Sequence, residues 1–525
     1  MGLAAVERKK LGSSFDGVRM KYDYLVLGSG LAGLSFAALM SRAGKKVCVL
    51  EAHEFPGGYG HTFTMAKKYT FNAQLHYVWD CGKSQPVGRF LKALGLQEHI
   101  AFDKFEPLGY EKMRAPGLEL DIPYDYEILI ERLQRLFPHR KANLSRFIKH
   151  IERTGMAMEN YGGACRRAHI VPKAHNFLRL IGSSRATLQN VFEYFDIPKE
   201  AQTLMGLQWP CFMLPPKKVS YLAWVGLVHG YHGGAYSVSR SFQYFVDSLV
   251  DTLRDGGGKI IYNRKVIDFI FDSEKCIGAI SQDTNSHEGW AEHLAGKLIC
   301  NFDPKRAAEM IGLEKFSRSV RTRLNYEYSP SNFIGYCAVQ GIDLSHYGFG
   351  QSVFYHTSDS DLNHTYEQMY TTGNYERPSF AISTPSLHAS RHHSCQEGIQ
   401  LLELVTVADY QRFHDLKRVN RRAYRAKKKE ILDTMLEIVS SKYVPNLKEH
   451  VCYSVGGSPT TNERYCFSPK GNSYGSNLTP SYFGINRLDE RTSIDGLYFC
   501  NASAGYPGFA GTICTGMRLY EMLNK

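Results

Sequence analysis

Residues 22–58 read YDYLVLGSGLAGLSFAALMSRAGKKVCVLEAHEFPGG, and few folds accommodate that order of parts. A short apolar run at 24–27 enters Gly28-Ser29-Gly30-Leu31-Ala32-Gly33. A stretch rich in small residues follows, and a second apolar run at 47–50 ends on Glu51. The runs read as strands and the stretch between them as a helix. Gly28 allows a tight strand-to-helix turn, Gly30 lets backbone approach a pyrophosphate, and Gly33 lets the helix sit close to the strand. The helix start, with Ser29 and Ala32 beside the glycines, offers free N–H groups and a positive dipole end to phosphates. Glu51 lies 23 positions after Gly28, where a carboxylate can accept both ribose hydroxyls. A glycine-rich turn alone is common. Strand, helix, second strand and acid in register specify a dinucleotide site. The bland alternative is a tight βα turn with an unrelated surface glutamate.

At 525 residues the chain is too long for one compact core, so two domains are expected. With 43% hydrophobic and 22% charged residues it is ordinary globular material rather than a disordered chain. The net charge of +12 fits anionic lipid, nucleic acid or mere solubility, and no nucleic-acid-binding signature accompanies it. Much of the excess lies in one segment: Lys417, Arg418, Arg421, Arg422, Arg425, Lys427, Lys428 and Lys429. Flanking apolar residues make it a helix, either a solvated face or a face that docks peripherally on anionic membrane. The twelve cysteines form no CxxC pair, so a metal site is not expected, and a reducing cytoplasmic or organellar compartment fits them best. No signal peptide and no apolar run of spanning length is visible.

The organisation is interleaved α/β. Residues 1–20 read as a loose leader. A Rossmann-like cofactor domain takes 21–105, 237–310 and 491–525. An α+β substrate domain takes 106–236 and 311–490. Within the latter, Leu214-Pro215-Pro216 leads into an apolar segment at 219–236, too short to cross a bilayer, which is either a buried helix or the lining of a lipophilic tunnel. Residues 259–280 read as strands turning at Asp272-Ser273. At the C-terminal end, a strand runs through a glycine-rich loop into a final helix.

Glu51 is followed by Pro56-Gly57-Gly58-Tyr59-Gly60-His61-Thr62, and a second glycine pair after the acid suits close approach to a bound cofactor. This extension resembles the FAD-binding fingerprint of the amine oxidase and phytoene desaturase superfamily. From 22 to 525 the chain resembles the phytoene desaturase, prolycopene isomerase and retinol saturase group. The resemblance rests on PGGYGHTF (56–63), LPP with Gly233-Gly234-Ala235-Tyr236, NRKVIDFI, CNFDP, GSPTTNERYCFSPKGNSYG (457–475) and the closing GLYFCN…YPGFAG…TG. It implies FAD as the cofactor. It also implies desaturation, saturation or cis–trans isomerisation of a lipophilic isoprenoid polyene, a carotenoid or retinoid, with an electron acceptor left open. Three positions depart from the group: Val238-Ser239-Arg240-Ser241 stands for a Lys-Gly-Gly stretch, Asn501-Ala502-Ser503 for a glycine followed by an acid, and Tyr59 for an arginine.

A flavin does the hard step itself, so no nucleophile is required and none stands out. The 33 Tyr and 29 Phe suffice for an aromatic channel, or simply for a large core. For the cofactor the residues are Gly28, Ser29, Gly30, Ala32, Gly33, Glu51, Gly57, Gly58, His61, Val266 (through its backbone), Ser503 (on a ribityl hydroxyl), Pro507, Gly508 and Gly511. Candidate acid–base groups are His76, Glu463, Arg464 and Tyr465, each with a structural alternative: a hydrogen-bonded buried histidine, exposed ion pairs, a core tyrosine. Two other readings stand beside the polyene enzyme: an amine or amino-acid oxidase, and a non-catalytic prenyl-binding escort protein on the same fold.

Overall fold

The computed structural model describes residues 21–161, 174–286, 289–391 and 398–524; the leader lies outside them. The chain begins with β1 (Tyr22–Leu27), α1 (Leu31–Arg42) and β2 (Val47–Leu50). The inner residues of β1 and all of β2 are buried, as a parallel strand covered on both faces requires. Leu25 and Leu27 face one core layer, Tyr24 and Val26 the other. The α1 helix is enclosed along almost its whole length, which explains its small residues.

The chain then leaves this sheet. It forms β3 (Glu111–Ala115), β4 (Leu118–Ile122) and, after several helices, α2 (Tyr221–His232). Of the apolar segment at 219–236, residues Tyr221–His232 form this helix, with Tyr221, Leu222, Ala223, Trp224, Val225, Val228, Tyr231 and His232 inside, and Ala235 and Tyr236 open a strand. The chain returns to the first sheet with α3 (Phe242–Asp255), β5 (Lys259–Ile261), β6 (Arg264–Asp272), β7 (Lys275–Asp283) and β8 (Trp290–Cys300). A second excursion supplies β9 (Ser331–Gln340), β10 (Val353–Thr357), β11 (Ser379–Ser383) and β12 (Ile399–Ala408). It continues through α4 (Tyr410–Val419), α5 (Arg421–Lys442), β13 (Val451–Gly457) and α6 (Pro459–Cys466). Finally β14 (Leu497–Phe499) and α7 (Phe509–Leu523) return to the first sheet.

Two seven-stranded sheets result. The first has the order β5-β2-β1-β8-β7-β6, with β14 also on β8; β5, β2, β1, β8 and β14 pair in parallel. The second has the order β13-β9-β12-β11-β10-β3-β4 and is antiparallel apart from the β10–β3 pair. The closing helix α7 packs on α1 so tightly that a Cβ on Gly516 would lie 2.6 Å from the Ala32 carbonyl. The basic segment is two helices, broken at Asn420, with Arg418, Arg421, Arg422, Arg425 and Lys429 exposed. Nine described cysteines are free thiols, while Cys514 on α7 is disulfide-bonded, a departure from the expectation of a fully reduced chain. No helix among the described residues is long and apolar enough to cross a membrane. No group of His, Cys, Asp and Glu among them is arranged to hold a metal ion.

Candidate functional site

The β1–α1 turn opens a cavity of about 320 Å³. Gly28 sits at φ +103°, a conformation that side chains rarely adopt. At Gly30 a Cβ would stand 2.7 Å from Asn301 Oδ1, and at Gly33 it would stand 2.8–2.9 Å from the Asn301 side chain and the Gly28 carbonyl. These two glycines therefore make room first for Asn301, at the end of β8, whose Nδ2 donates to the Cys500 carbonyl and ties β8 to the closing loop. The N-terminus of α1 has no side-chain cap and no acid in its first turn, so its N–H groups face the cavity unused.

Glu51 is held on three donors. The Ser29 N–H reaches Oε2 at 2.8 Å, the Ser29 hydroxyl donates to the same oxygen, and the His53 N–H reaches Oε1 at 2.8 Å. Each oxygen keeps lone-pair capacity toward the cavity. Gly57 (φ +114°) and Gly58 (φ +53°) fold the next loop back onto the first. The Gly57 N–H donates to the Ser29 carbonyl at 3.0 Å, and a Cβ on Gly58 would be 3.3 Å from Gly30 Cα. His61 is buried, its Nδ1 on the Gly58 carbonyl; burial lowers its pKa and keeps it neutral.

Another part of the wall comes from near the C-terminal end of the chain. Asn501, Ala502, Ser503, Pro507, Gly508 and Thr512 line it. The α7 helix begins at Gly508 without a side-chain cap or first-turn acid, a second open helix N-terminus. Ser503 is buried, and its hydroxyl accepts the Ser476 N–H at 3.0 Å. The segment after α6 closes the remaining side: Tyr59 donates to the Asn472 carbonyl at 2.7 Å, and the rings of Tyr465 and Phe467 both stand 6.3 Å from His53.

Several expected residues lie elsewhere or act differently. Gly33 and Gly511 do not line the cavity; Gly511 abuts the Tyr506 backbone. His76 is turned away, its Nδ1 2.6 Å from Glu403 on β12, because that fully buried carboxylate needs a partner. Gln74 and Leu75 take the lining positions instead. Glu463 accepts the Tyr410 hydroxyl at 2.9 and 2.8 Å, and Arg464 stacks over the Tyr465 ring, so both lie outside the cavity. Only Tyr465 of that trio lines it, beside His53. Asn301, His53, Arg306, Ser473 and Tyr474 line it too, unanticipated individually, although the CNFDP and GSPTTNERYCFSPKGNSYG motifs contain three of them.

Behind the closing loop the interior is aromatic. Trp79 stands 3.0 Å from where a Gly508 Cβ would be and packs edge-on against Tyr231, which stacks on Tyr77 at 4.4 Å. Tyr77 starts a buried polar chain. Its hydroxyl donates to Glu111 and meets Tyr355 at 2.6 Å, and Tyr355 meets the Cys211 thiol at 2.7 Å. Gln208 also donates to Glu111, and Tyr474, a cavity residue, donates to the Cys211 carbonyl. Burial pushes the Glu111 carboxyl up to about 8.

A flavin adenine dinucleotide suits these residues. Two open helix N-termini face one cavity, the Glu51 carboxylate lines it, and two buried polar atoms on its wall, His53 Nδ1 and Ser473 Oγ, have no hydrogen-bond partner among the described residues.

The comparisons agree with this geometry. Residues 26–94 match the model of the NAD(P)-binding Rossmann-like domain. An all-trans-retinol 13,14-reductase from Danio rerio is 22% identical over 94% of this chain and 84% of its own. A chloroplastic prolycopene isomerase from Arabidopsis thaliana is 23% identical over 96% and 83%. Among solved structures, an oxidoreductase from Methanosarcina mazei superposes with TM-score 0.62 at 16% identity, covering 95% of this chain and 99% of that one. Wild-type putrescine oxidase gives 0.62 at 13%, covering 96% and 99%. The chain thus resembles, over nearly its whole length, the retinol 13,14-reductase and prolycopene isomerase group of flavoproteins, on the fold of the flavin amine oxidases.

Proposed function

We propose that this protein is an FAD-dependent oxidoreductase acting on C=C bonds of a lipophilic isoprenoid polyene, a carotenoid or retinoid, by desaturation, saturation or cis–trans isomerisation. The observation that carries the reading is that two polyene enzymes of different reaction type, a reductase and an isomerase, each align with more than nine-tenths of this chain. The amine oxidases share its fold at much lower identity.

Bound FAD would supply hydride or electron exchange with a conjugated double bond. The chain's own residues do the rest. Ser29 and Glu51 hold the adenosine ribose, and the α1 N-terminus meets the pyrophosphate. Val266 presents backbone to the adenine, and the α7 N-terminus with Pro507 and Gly508 seats the ring. Ser503 braces the Gly475-Ser476 turn with its hydroxyl. Tyr474 lines the cavity, and the packed cluster of Trp79, Tyr231 and Tyr77 behind the closing loop keeps water from that side. An amine oxidase would need a compact polar or aromatic pocket, so peroxide production from amines is what separates that reading, and an escort protein would have no use for two open helix N-termini. The exposed arginines of α4 and α5 support peripheral contact with anionic membrane, from which such a substrate would be drawn.

The test is an absorption spectrum of purified protein with solvent extraction. Flavin bands that bleach with dithionite, plus extracted polyene or turnover of added retinol or lycopene isomers, are expected. Flavin with peroxide production from amines would replace the reading by the amine oxidase one. Absence of flavin after FAD is added would sink both.

A further inference from the structure

Arg487 is a buried cation with no anionic partner among the described residues. The side chain is 6% exposed. Its guanidinium donates only to backbone carbonyls: Nε to Gly505, Nη2 to Ala502 at 2.5 Å and Nη1 to Tyr482 at 3.5 Å. The neighbouring Arg518 is paired with Glu490, so that carboxylate is taken. Residues 497–512 contain no acid at all, and Ala502 stands at the centre of the Asn501-Ala502-Ser503 turn. The titratable groups that face Arg487 are the phenols of Tyr506 and Tyr326, and burial leaves it a pKa of about 10, still charged at neutral pH.

A lone buried charge is costly, by several kcal/mol, unless something compensates it. Carbonyl dipoles compensate only in part. The two loop residues that Arg487 grips flank Ser503 and Ala504, and the same loop carries Ala502, Pro507 and Gly508 on the cavity wall. The cation therefore sits directly behind the end of the cavity that α7 closes.

We propose that Arg487 is a positioning residue whose uncompensated charge, acting through the 502–508 loop, favours the reduced, anionic form of the flavin. The inference rests on the FAD reading. Two-electron reduction with uptake of one proton leaves a negative charge on the pyrimidine side of the flavin ring, and a fixed cation near that charge would stabilise it. A nearby charge is one of the ways a protein tunes a flavin.

Sodium sulfite tests this without substrate. Sulfite donates its electron pair to N5 of oxidised flavin, the S–N5 bond forms, and the negative charge passes to the pyrimidine side. In FAD-loaded protein, Arg487→Met should weaken sulfite binding at least tenfold and lower the two-electron potential against redox dyes by about 30 mV or more, the equivalent of tenfold. Arg487→Lys, which keeps the charge and loses the fork, should stay within threefold of wild type. Three results would overturn the proposal: sulfite affinity unchanged in a flavin-loaded Met variant; a Lys variant as weak as Met, which assigns Arg487 to bracing the loop; or loss of FAD from both variants. A wild-type protein that takes up no FAD would instead overturn the cofactor reading.

Discussion

Glu111→Gln isolates a pH dependence that the fold builds in. The carboxyl is fully buried on β3, and desolvation raises its pKa from 4.5 to about 8 despite the Tyr77 and Gln208 donors. Between those values the folded protein keeps the proton and the unfolded chain releases it. More protons bound in the native state means that stability falls as pH rises. The contribution is fully present below about 4.5 and fully lost above about 8. The span of 3.5 units, 8 minus 4.5, corresponds to about 5 kcal/mol at 1.36 kcal/mol per unit. Glutamine keeps the shape and cannot ionise, and Gln208 can turn its amide to match it. Urea unfolding of wild type and variant at pH 5, 6, 7 and 8 should therefore show the variant gaining on wild type by about 1 kcal/mol per pH unit, with the gain flattening as pH 8 is approached. A difference that stays flat within about 1 kcal/mol across that range would refute the reasoning, because Glu111 would then be ionised in the fold or reached by water.

Glu51→Ala removes two charge-assisted acceptors from the ribose, each worth about 1.5–3 kcal/mol, so FAD affinity measured by fluorescence quenching should fall at least about 100-fold. His76→Ala leaves the buried Glu403 with only the Asn72 N–H. Thermal unfolding should lose about 3 kcal/mol while the spectrum of bound flavin is unchanged, and a shifted flavin spectrum would put His76 back beside the ring. Reversing Arg421, Arg422 and Arg425 to Glu should lower sedimentation with anionic vesicles by tenfold or more at about 1 kcal/mol per charge, with neutral vesicles unaffected. Equal retention would return the segment to a solvated helix face.

The nucleotide end of the site was legible because it is local. Gly28, Glu51 and the Gly57-Gly58 pair lie within one short stretch, and steric rules tie each glycine to a turn or a close approach. The reason for Gly30 and Gly33 was legible only in part. The atom that crowds them, Asn301, is more than 260 positions away and arrives only when β8 pairs with β1. His76 misled for the same reason. Its position just past the PGG loop suggested the cavity, while Glu403, 327 positions on, captures its ring. In the GSPTTNERYCFSPKGNSYG segment, helical phase decided which side chains face in. Tyr465 looks into the cavity, whereas Glu463 and Arg464 turn outward. The sequence by itself determined the strand-to-helix turn and the Rossmann-like unit around it, because these follow from backbone sterics and periodicity over short spans. Tertiary structure alone decided which buried groups meet: His76 with Glu403, Glu111 with Tyr77 and Gln208, and Arg487 with carbonyls in place of an acid. A buried charge takes the partner that packing brings to it, and packing joins residues that the sequence keeps hundreds of positions apart.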